Sequence, residues 1–443
     1  MQRRFPRLRL LPQRHAERDV PLLYITNLRE NILYRNDGAA GFAEVGGEAG
    51  AAVTWSTGAA FGDYDADGDV DLYVAGYAEF DPGEMPRLGS QWKGVDVFVG
   101  PMGLKPEADR FYRNDDGRFA DVTAEAGLAQ PEPGYGFGVL FVDGDDDGDA
   151  DLYVANDSSP NFLYRNDGDG IFAEVGLQAQ VAYGGLGHSQ AGMGVAWGDY
   201  DGDGRADIFT THFEDDYNTL YRNEGAGLFV DVAVEAGLGR ASFHFVGFGT
   251  GFFDHDNDGD LDLLVANGHV YPQIERSGSG IRYAQPDQLF DNRGGGHFAL
   301  LLPTAGDSLG TARVSRGSAV ADYDDDGDLD ILVANLNDRP TLLRNDVGNG
   351  QNWLGVKLVG AKSNRGGIGA RLRLVAGGGA QVRDIVSGSS FLSSEDPRAH
   401  FGLGRIATVD SLVVRWPSGT VQVLKGLRAN QYLVVEESTA ARR

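Results

Sequence analysis

Over the first three quarters of the chain, short apolar stretches alternate with turns rich in Gly, Asn and Asp. One unit shows the pattern: GVAWGDY ends at Tyr200, ADIFTTHF starts at Ala206, and NTLYRN and LFVDVAV follow after further turns. Strands of this length with Asn-Gly or Asp-Gly punctuation predict an antiparallel meander of four. No amphipathic helix of ten or more residues competes with them.

The unit recurs. An aspartate loop with the strand after it appears five times: GDYDADGDVDLYVA from Gly62, VDGDDDGDADLYVA from Val142, GDYDGDGRADIFTT from Gly198, FDHDNDGDLDLLVA from Phe253 and ADYDDDGDLDILVA from Ala321. It alternates with a second element, seen six times, around Tyr34, Tyr112, Tyr164, Tyr221, Phe290 and Arg344, typically Leu-Tyr-Arg-Asn-Asp-Gly. Successive loops begin 80, 56, 55 and 68 residues apart, the length of a propeller blade with insertions. A single four-stranded sheet cannot bury both faces, so the units must stack, and radial stacking gives a β-propeller.

The reading is therefore an all-β chain with six four-stranded blades. The first is degenerate, because VPLLYITN from Val20 resembles the strand after a loop that is missing, so seven blades remain open. Residues 1–18 form a basic tail, 19–347 the propeller, 351–437 a second domain and 438–443 a short tail. In that second domain WLGVKLVG, ARLRLVAG, QVRDIVSG, SLVVRWPSG, VQVLKG and YLVVEE alternate without aspartate loops, which predicts a β-sandwich.

Composition changes this picture in three ways. A net charge of −27 opposes phosphate backbones and anionic membranes, so no nucleic-acid partner is expected. The absence of cysteine removes disulfides, thiolate metal sites and cysteine nucleophiles. No apolar run is long enough to span a bilayer, and no apolar core follows the basic start, so no signal peptide is read in this sequence.

The acidity is concentrated. In the first loop Asp63, Asp65, Asp67 and Asp71 stand at positions 1, 3, 5 and 9, Gly68 at 6, and Asp69 at 7, where a backbone carbonyl can point inward. Hard oxygen donors at this spacing, with a glycine for the sharp turn, match the first half of a calcium loop of the EF-hand kind. The same register holds Asp143, Asp145, Asp147, Asp149 and Asp151; Asp199, Asp201, Asp203, Arg205 and Asp207; Asp254, Asp256, Asp258, Asp260 and Asp262; and Asp322, Asp324, Asp326, Asp328 and Asp330. Read as plain solvated turns, four carboxylates would repel one another with nothing to offset them. About five Ca²⁺ are expected, in preference to Mg²⁺, which prefers fewer carboxylates.

These loops and their periodicity resemble the FG-GAP/VCBS repeats of integrin-type propellers. SNRGGIGARLRL from Ser363, GSSFLSSEDPRAHFGLG from Gly388 and VRWPSGTVQ from Val414 resemble the ASPIC/UnbV domain. Together the halves look like bacterial members of the cartilage acidic protein family, which is mostly exported and has no well-established biochemical activity. The resemblance implies a calcium-bound propeller with a C-terminal cap, acting outside the cytoplasm, extracellular or periplasmic, as a binding or adhesion module for a protein or glycan.

Other chemistry is weaker. Gly306-Asp-Ser308-Leu-Gly310 has the spacing of a hydrolase nucleophile elbow but falls between blades, without the strand and helix that motif needs. His400, Ser393 and Asp396 supply triad residue types in a stretch that reads more plainly as a turn with buried Phe391 and Phe401. The alternative to a binding module is an enzyme or biosynthetic accessory protein. It would use His188, His212, His244 and His269, which a meander places on the face opposite the aspartate loops, near Asp157, Glu214 and Asp215.

Overall fold

The computed structural model describes residues 22–38, 41–45, 55–81, 90–98, 100–302 and 308–439. The fold is all-β, six repeat sheets followed by a two-sheet domain. Blade 3 shows the unit whole: Gly136–Val142, Asp151–Asn156, Phe162–Asn166 and Phe172–Glu174 lie side by side in chain order, each antiparallel to the next. Blades 2, 4 and 5 repeat this arrangement from inner strands Ser56–Gly62, Val195–Gly198 and Gly247–Phe253. Blade 6 has three strands, Ser315–Ala321, Asp330–Asn335 and Thr341–Leu343. Blade 1 also has three, Leu22–Ile25, Ile32–Asn36 and Phe42–Glu44, and Leu22 stands where the other blades place the last loop aspartate. Blade 1 thus has no inner strand among the described residues.

Strand alternation sends successive side chains of each second strand to opposite neighbours. In blade 2, Leu72 and Val74 pack against blade 1, while Tyr73 and Ala75 pack against Leu152 and Val154 of blade 3. Tyr153, Phe209 and Leu264 continue the series into blades 4, 5 and 6. Each of these four residues is fully buried, whereas their counterpart in blade 6, Leu332, is 47% exposed. Leu23 and Ile25 of blade 1, the counterparts of Leu72 and Val74, are 45% and 39% exposed. The two end blades therefore turn apolar faces to solvent.

The insertion behind the 80-residue spacing carries two small hairpins that the sequence pattern did not predict. Ala78–Glu79 pairs with Lys105–Pro106, and Ser90–Trp92 pairs with Val95–Val97. The second reaches across to blades 4 and 5, where Trp92 donates to Glu214, Lys93 to Asp215 at 3.0 Å, and Val95 and Val97 pack with Ile274.

The C-terminal domain, called the cap below, packs a three-stranded sheet on a four-stranded one around Leu354, Leu372, Phe401, Leu412 and Trp416. Phe391 and Phe401 are buried as expected, but Ala399–Gly404 is a strand rather than part of a turn. Its partner is Asn352–Val359, which also pairs in parallel with Gln431–Glu436.

Between two cap strands the chain dips into the centre of the propeller and returns. Ser387 Oγ accepts from the Phe61 amide, and Ser390 exchanges backbone hydrogen bonds with Val195. Ser390 Oγ accepts from the Thr250 amide at 3.0 Å and contacts Ser318 Oγ at 2.9 Å. Gly388 has φ of +80°, and a Cβ there would lie 2.8 Å from Ala60 Cβ and 2.9 Å from the Val139 carbonyl, so only glycine fits. This plug meets the inner strands of blades 2 to 6, and Phe391 at its tip is buried with Met193, Val246 and Phe248.

Candidate metal centre

Each aspartate loop leaves the inner strand and turns back into the second. The glycine at position 6 has φ between +94° and +107° in all five loops, a conformation open to glycine and strained for any other residue. The turn points carboxylates inward. Oxygens of Asp143, Asp145 and Asp147 lie within 4.8 Å of one another, as do those of Asp199, Asp201 and Asp203, and of Asp254, Asp256 and Asp258; in the first loop Asp63, Asp65 and Asp71 meet the same limit. In the fourth loop His255 at position 2 joins Asp256 and Asp262 in a further group, its Nδ1 2.7 Å from Asp262 Oδ2.

The first and last aspartates have different surroundings. Position 9 is fully bonded to backbone: Asp71, Asp151, Asp207, Asp262 and Asp330 each accept from the amide of loop position 2 and from the amide of the Asn in the second repeat element. Position 1 is not. Both carboxylate oxygens of Asp63, and Oδ1 of Asp143 and Asp199, are buried with no hydrogen-bond donor. Burial, only partly opposed by Arg371 at Asp143 and by Arg383 at Asp199 and Asp254, pushes Asp143 and Asp199 up to about 6, Asp63 to about 7 and Asp254 to about 8, and at position 9 it pushes Asp207 up to about 9. Orphaned buried oxygens beside two or three further carboxylates suit a hard cation. Position 7 holds Asp69, Asp149, Arg205, Asp260 and Asp328; Arg205 is turned to Asp203 and the Asn223 carbonyl, leaving its own carbonyl as the conceivable donor.

The Asn of the second element also joins neighbouring blades, a role that spacing alone did not reveal. Nδ2 of Asn166, Asn223, Asn292 and Asn345 donates to the carbonyl of loop position 2 in the preceding blade, at Tyr64, Gly144, Tyr200 and His255.

The cap lies directly over the aspartate loops. Arg371 pairs with Asp146, and Arg398 reaches Asp325 and the Asp322 carbonyl. His400 Nε2 meets the Gly327 carbonyl at 3.0 Å, Tyr432 donates to Asp322, and the Gly404 amide donates to the Asn257 carbonyl at 2.8 Å. At the first loop the Lys362 carbonyl would lie 2.7 Å from any Cβ on Gly68. Position 1 faces this interface while position 5 stays exposed.

The histidines divide. His269 is fully buried, with Nδ1 accepting from the Tyr271 amide at 2.9 Å and Nε2 3.1 Å from Glu214. His212 is buried against Thr219 at 3.0 Å. His188 is exposed beside Asp216, and exposed His244 sits edge-on to Phe243. Asp157 bonds Tyr77 and Ser158. The triad types do not connect: Ser393 donates to the Phe391 carbonyl, Asp396 pairs with Arg398, and His400 stacks on Trp353. Ser308 begins an exposed turn, and residues 303–307 before it lie outside the described residues.

Comparison with known proteins agrees with this architecture. The family model for the FG-GAP-like repeat matches residues 21–74, 143–210, 203–265 and 254–333, and that for ASPIC and UnbV matches 360–442. The chain is 28% identical over 359 residues to cartilage acidic protein 1 of Mus musculus, covering 80% of this chain and 50% of the relative. The Homo sapiens protein is 27% identical over 359 residues, covering 80% and 49%. The chain thus spans about half the length of the curated relatives it matches. Among solved structures it is similar to an Agrocybe aegerita lectin that recognises non-reducing terminal N-acetylglucosamine, at TM-score 0.35 and 17% identity, covering 75% of this chain and 82% of the lectin. It is also similar to the Dos1 propeller, at TM-score 0.28 and 11% identity, covering 83% and 92%. No helix among the described residues is long and apolar enough to cross a membrane. With both family models seated on the sheets described above, the chain belongs to the FG-GAP-repeat proteins that carry a C-terminal ASPIC/UnbV domain.

Proposed function

We propose that this protein is a calcium-stabilised β-propeller that serves outside the cytoplasm as a binding or adhesion module, with calcium mainly structural. The observation that carries the reading is the set of buried position-1 oxygens without donors in the first three loops, each beside further carboxylates of its own loop. Positions 1, 3, 5 and 9 would hold each ion through carboxylate oxygens and position 7 through its carbonyl. Calcium supplies the positive charge that these oxygens lack and fixes the turn. With a Kd of ~0.1 mM per site, ~1 mM free calcium stabilises by about 1.4 kcal/mol per site.

The cap covers the loop face and the plug fills the centre, so the surface left for a protein or glycan partner is the opposite face and the outer rims of the blades. The enzyme reading is less favoured, because His269 has both ring nitrogens engaged within the protein. Metal analysis of the purified chain with melting curves tests the proposal. The expected outcome is about five calcium ions per chain and a melting temperature that falls on adding chelator and recovers with Ca²⁺ but not with Mg²⁺. A calcium-free protein whose melting is indifferent to chelator would overturn it.

A further inference from the structure

The five aspartate loops share a register but not the surroundings that the cap gives them. In the first loop Asp63 is more than nine-tenths buried, and both its carboxylate oxygens lack a donor. The Gly68 amide and the Asn364 side chain approach it without closing a hydrogen bond. What the cap sets over this loop is uncharged, the Asn364 amide and the Lys362 carbonyl above Gly68. Among the described residues no cation forms an ion pair with a carboxylate of this loop. Arg113, whose charge reaches Asp65, is paired with Asp115.

Each of the other four loops meets a cation from the cap. Arg371 pairs with Asp146 of the second loop, and its charge acts on Asp143. Arg383 lines one cavity with Asp199 of the third loop and Asp254 of the fourth, and its charge acts on both. Arg398 reaches Asp325 of the fifth loop at 3.3 Å and the Asp322 carbonyl at 3.1 Å. The third loop has a cation of its own as well, Arg205 paired with Asp203. Arg165 and Arg222 act on position 3 of the second and third loops as Arg113 does on the first, so they do not separate these three.

The position-1 oxygens follow the same gradient. In the second and third loops one buried oxygen lacks a donor, Oδ1 of Asp143 and of Asp199. In the fourth, Asp254 takes the Asp258 amide at 3.1 Å and the Gly259 amide at 2.8 Å. In the fifth, Asp322 takes the Asp326 and Gly327 amides and the Tyr432 hydroxyl. A fixed positive charge facing a site repels a divalent ion, and more strongly where water is excluded. Asp384 and Asp396 accompany Arg371 and Arg398 and offset part of that charge.

We propose that the first loop, Asp63 to Asp71, is the tightest calcium site of the five, and that Arg371, Arg383 and Arg398 of the cap hold the other four at weaker affinity. This rests on the calcium reading above and adds the order in which the loops fill.

The test titrates calcium into the full chain, freed of metal beforehand, in competition with a chromophoric chelator. One ion is expected to bind about tenfold more tightly than the rest. Asp63→Asn should remove that step and leave the weaker ones, whereas Asp199→Asn should remove a weak step and leave the tight one. Arg371→Gln should tighten one weak site. Melting curves at saturating calcium establish that each variant is folded, and a crystal of the unaltered chain grown with one equivalent of calcium should carry the ion at Asp63. Five equal sites, a tight step that survives Asp63→Asn, weak sites unmoved by Arg371→Gln, or a first ion seated in another loop would each overturn the ranking. Those outcomes leave the calcium reading standing, whereas a chain that binds no calcium overturns both.

Discussion

At single residues, the ninth-position aspartates explain why the two repeat elements travel together: each gathers the amide of its own loop and that of the Asn on the third strand. That Asn then binds the preceding blade through its side chain. Asn292→Ala would strip donors from the buried Tyr200 and Leu261 carbonyls, 2.8 and 3.0 Å away, and is expected to cost about 1–3 kcal/mol in urea unfolding. Asn36 has no preceding blade among the described residues, and its Oδ1 only accepts from Gly38, so Asn36→Ala should cost less than half as much. The sequence pattern marked this Asn as a hairpin residue, since Asn-Asp-Gly is also a turn signal, and the same atoms cannot announce a bond to another blade. Glu437 is a second anchor. Burial alone would raise its carboxyl, but the amides of Ala361, Lys362 and Ser363 with the Ser418 hydroxyl outweigh it and draw it down to about 2. Its folded value lies below the unfolded one, so its stabilisation is complete above about pH 4.5 and is lost as the pH falls toward 2. Glu437→Gln should therefore lower stability at neutral pH and converge with the parent in acid, as read by unfolding curves across that range.

At the level of elements, strand alternation and the loop register predicted the second strands and their two faces, because period-two patterning and turn chemistry are local signals. What escaped that reading was set by distant partners. Ala399–Gly404 reads as an aromatic turn in isolation and becomes a strand because Asn352–Val359 offers it an edge. The insertion hairpins are only two or three residues per strand, too short for a periodic signal. The faces of the blades also make a graded prediction. Leu264 is fully buried between blades 5 and 6, so Leu264→Ala should cost about 2–5 kcal/mol. Leu332, at the same register with 47% exposure, should lose under about 1 kcal/mol on the same substitution, and paired denaturation curves would check the contrast.

At the scale of the whole molecule, the five loops were legible as metal-binding candidates because their carboxylates are consecutive in sequence, but their burial was not. It arises from the cap, whose Arg371, Arg398 and Tyr432 carry no pattern that says where they dock. The plug carries this furthest. Phe61 and Ser387 touch although 326 residues separate them, and the same insertion joins the inner strands of five blades. A chain made from its N-terminus completes those strands before the segment that belongs between them exists. Blades that closed in chain order would surround an unfilled axis until this distant loop reached the centre. Long-range closure of this kind is slow and leaves apolar surface uncovered meanwhile. The centre of the propeller is therefore filled by residues that the chain supplies only after its last blade.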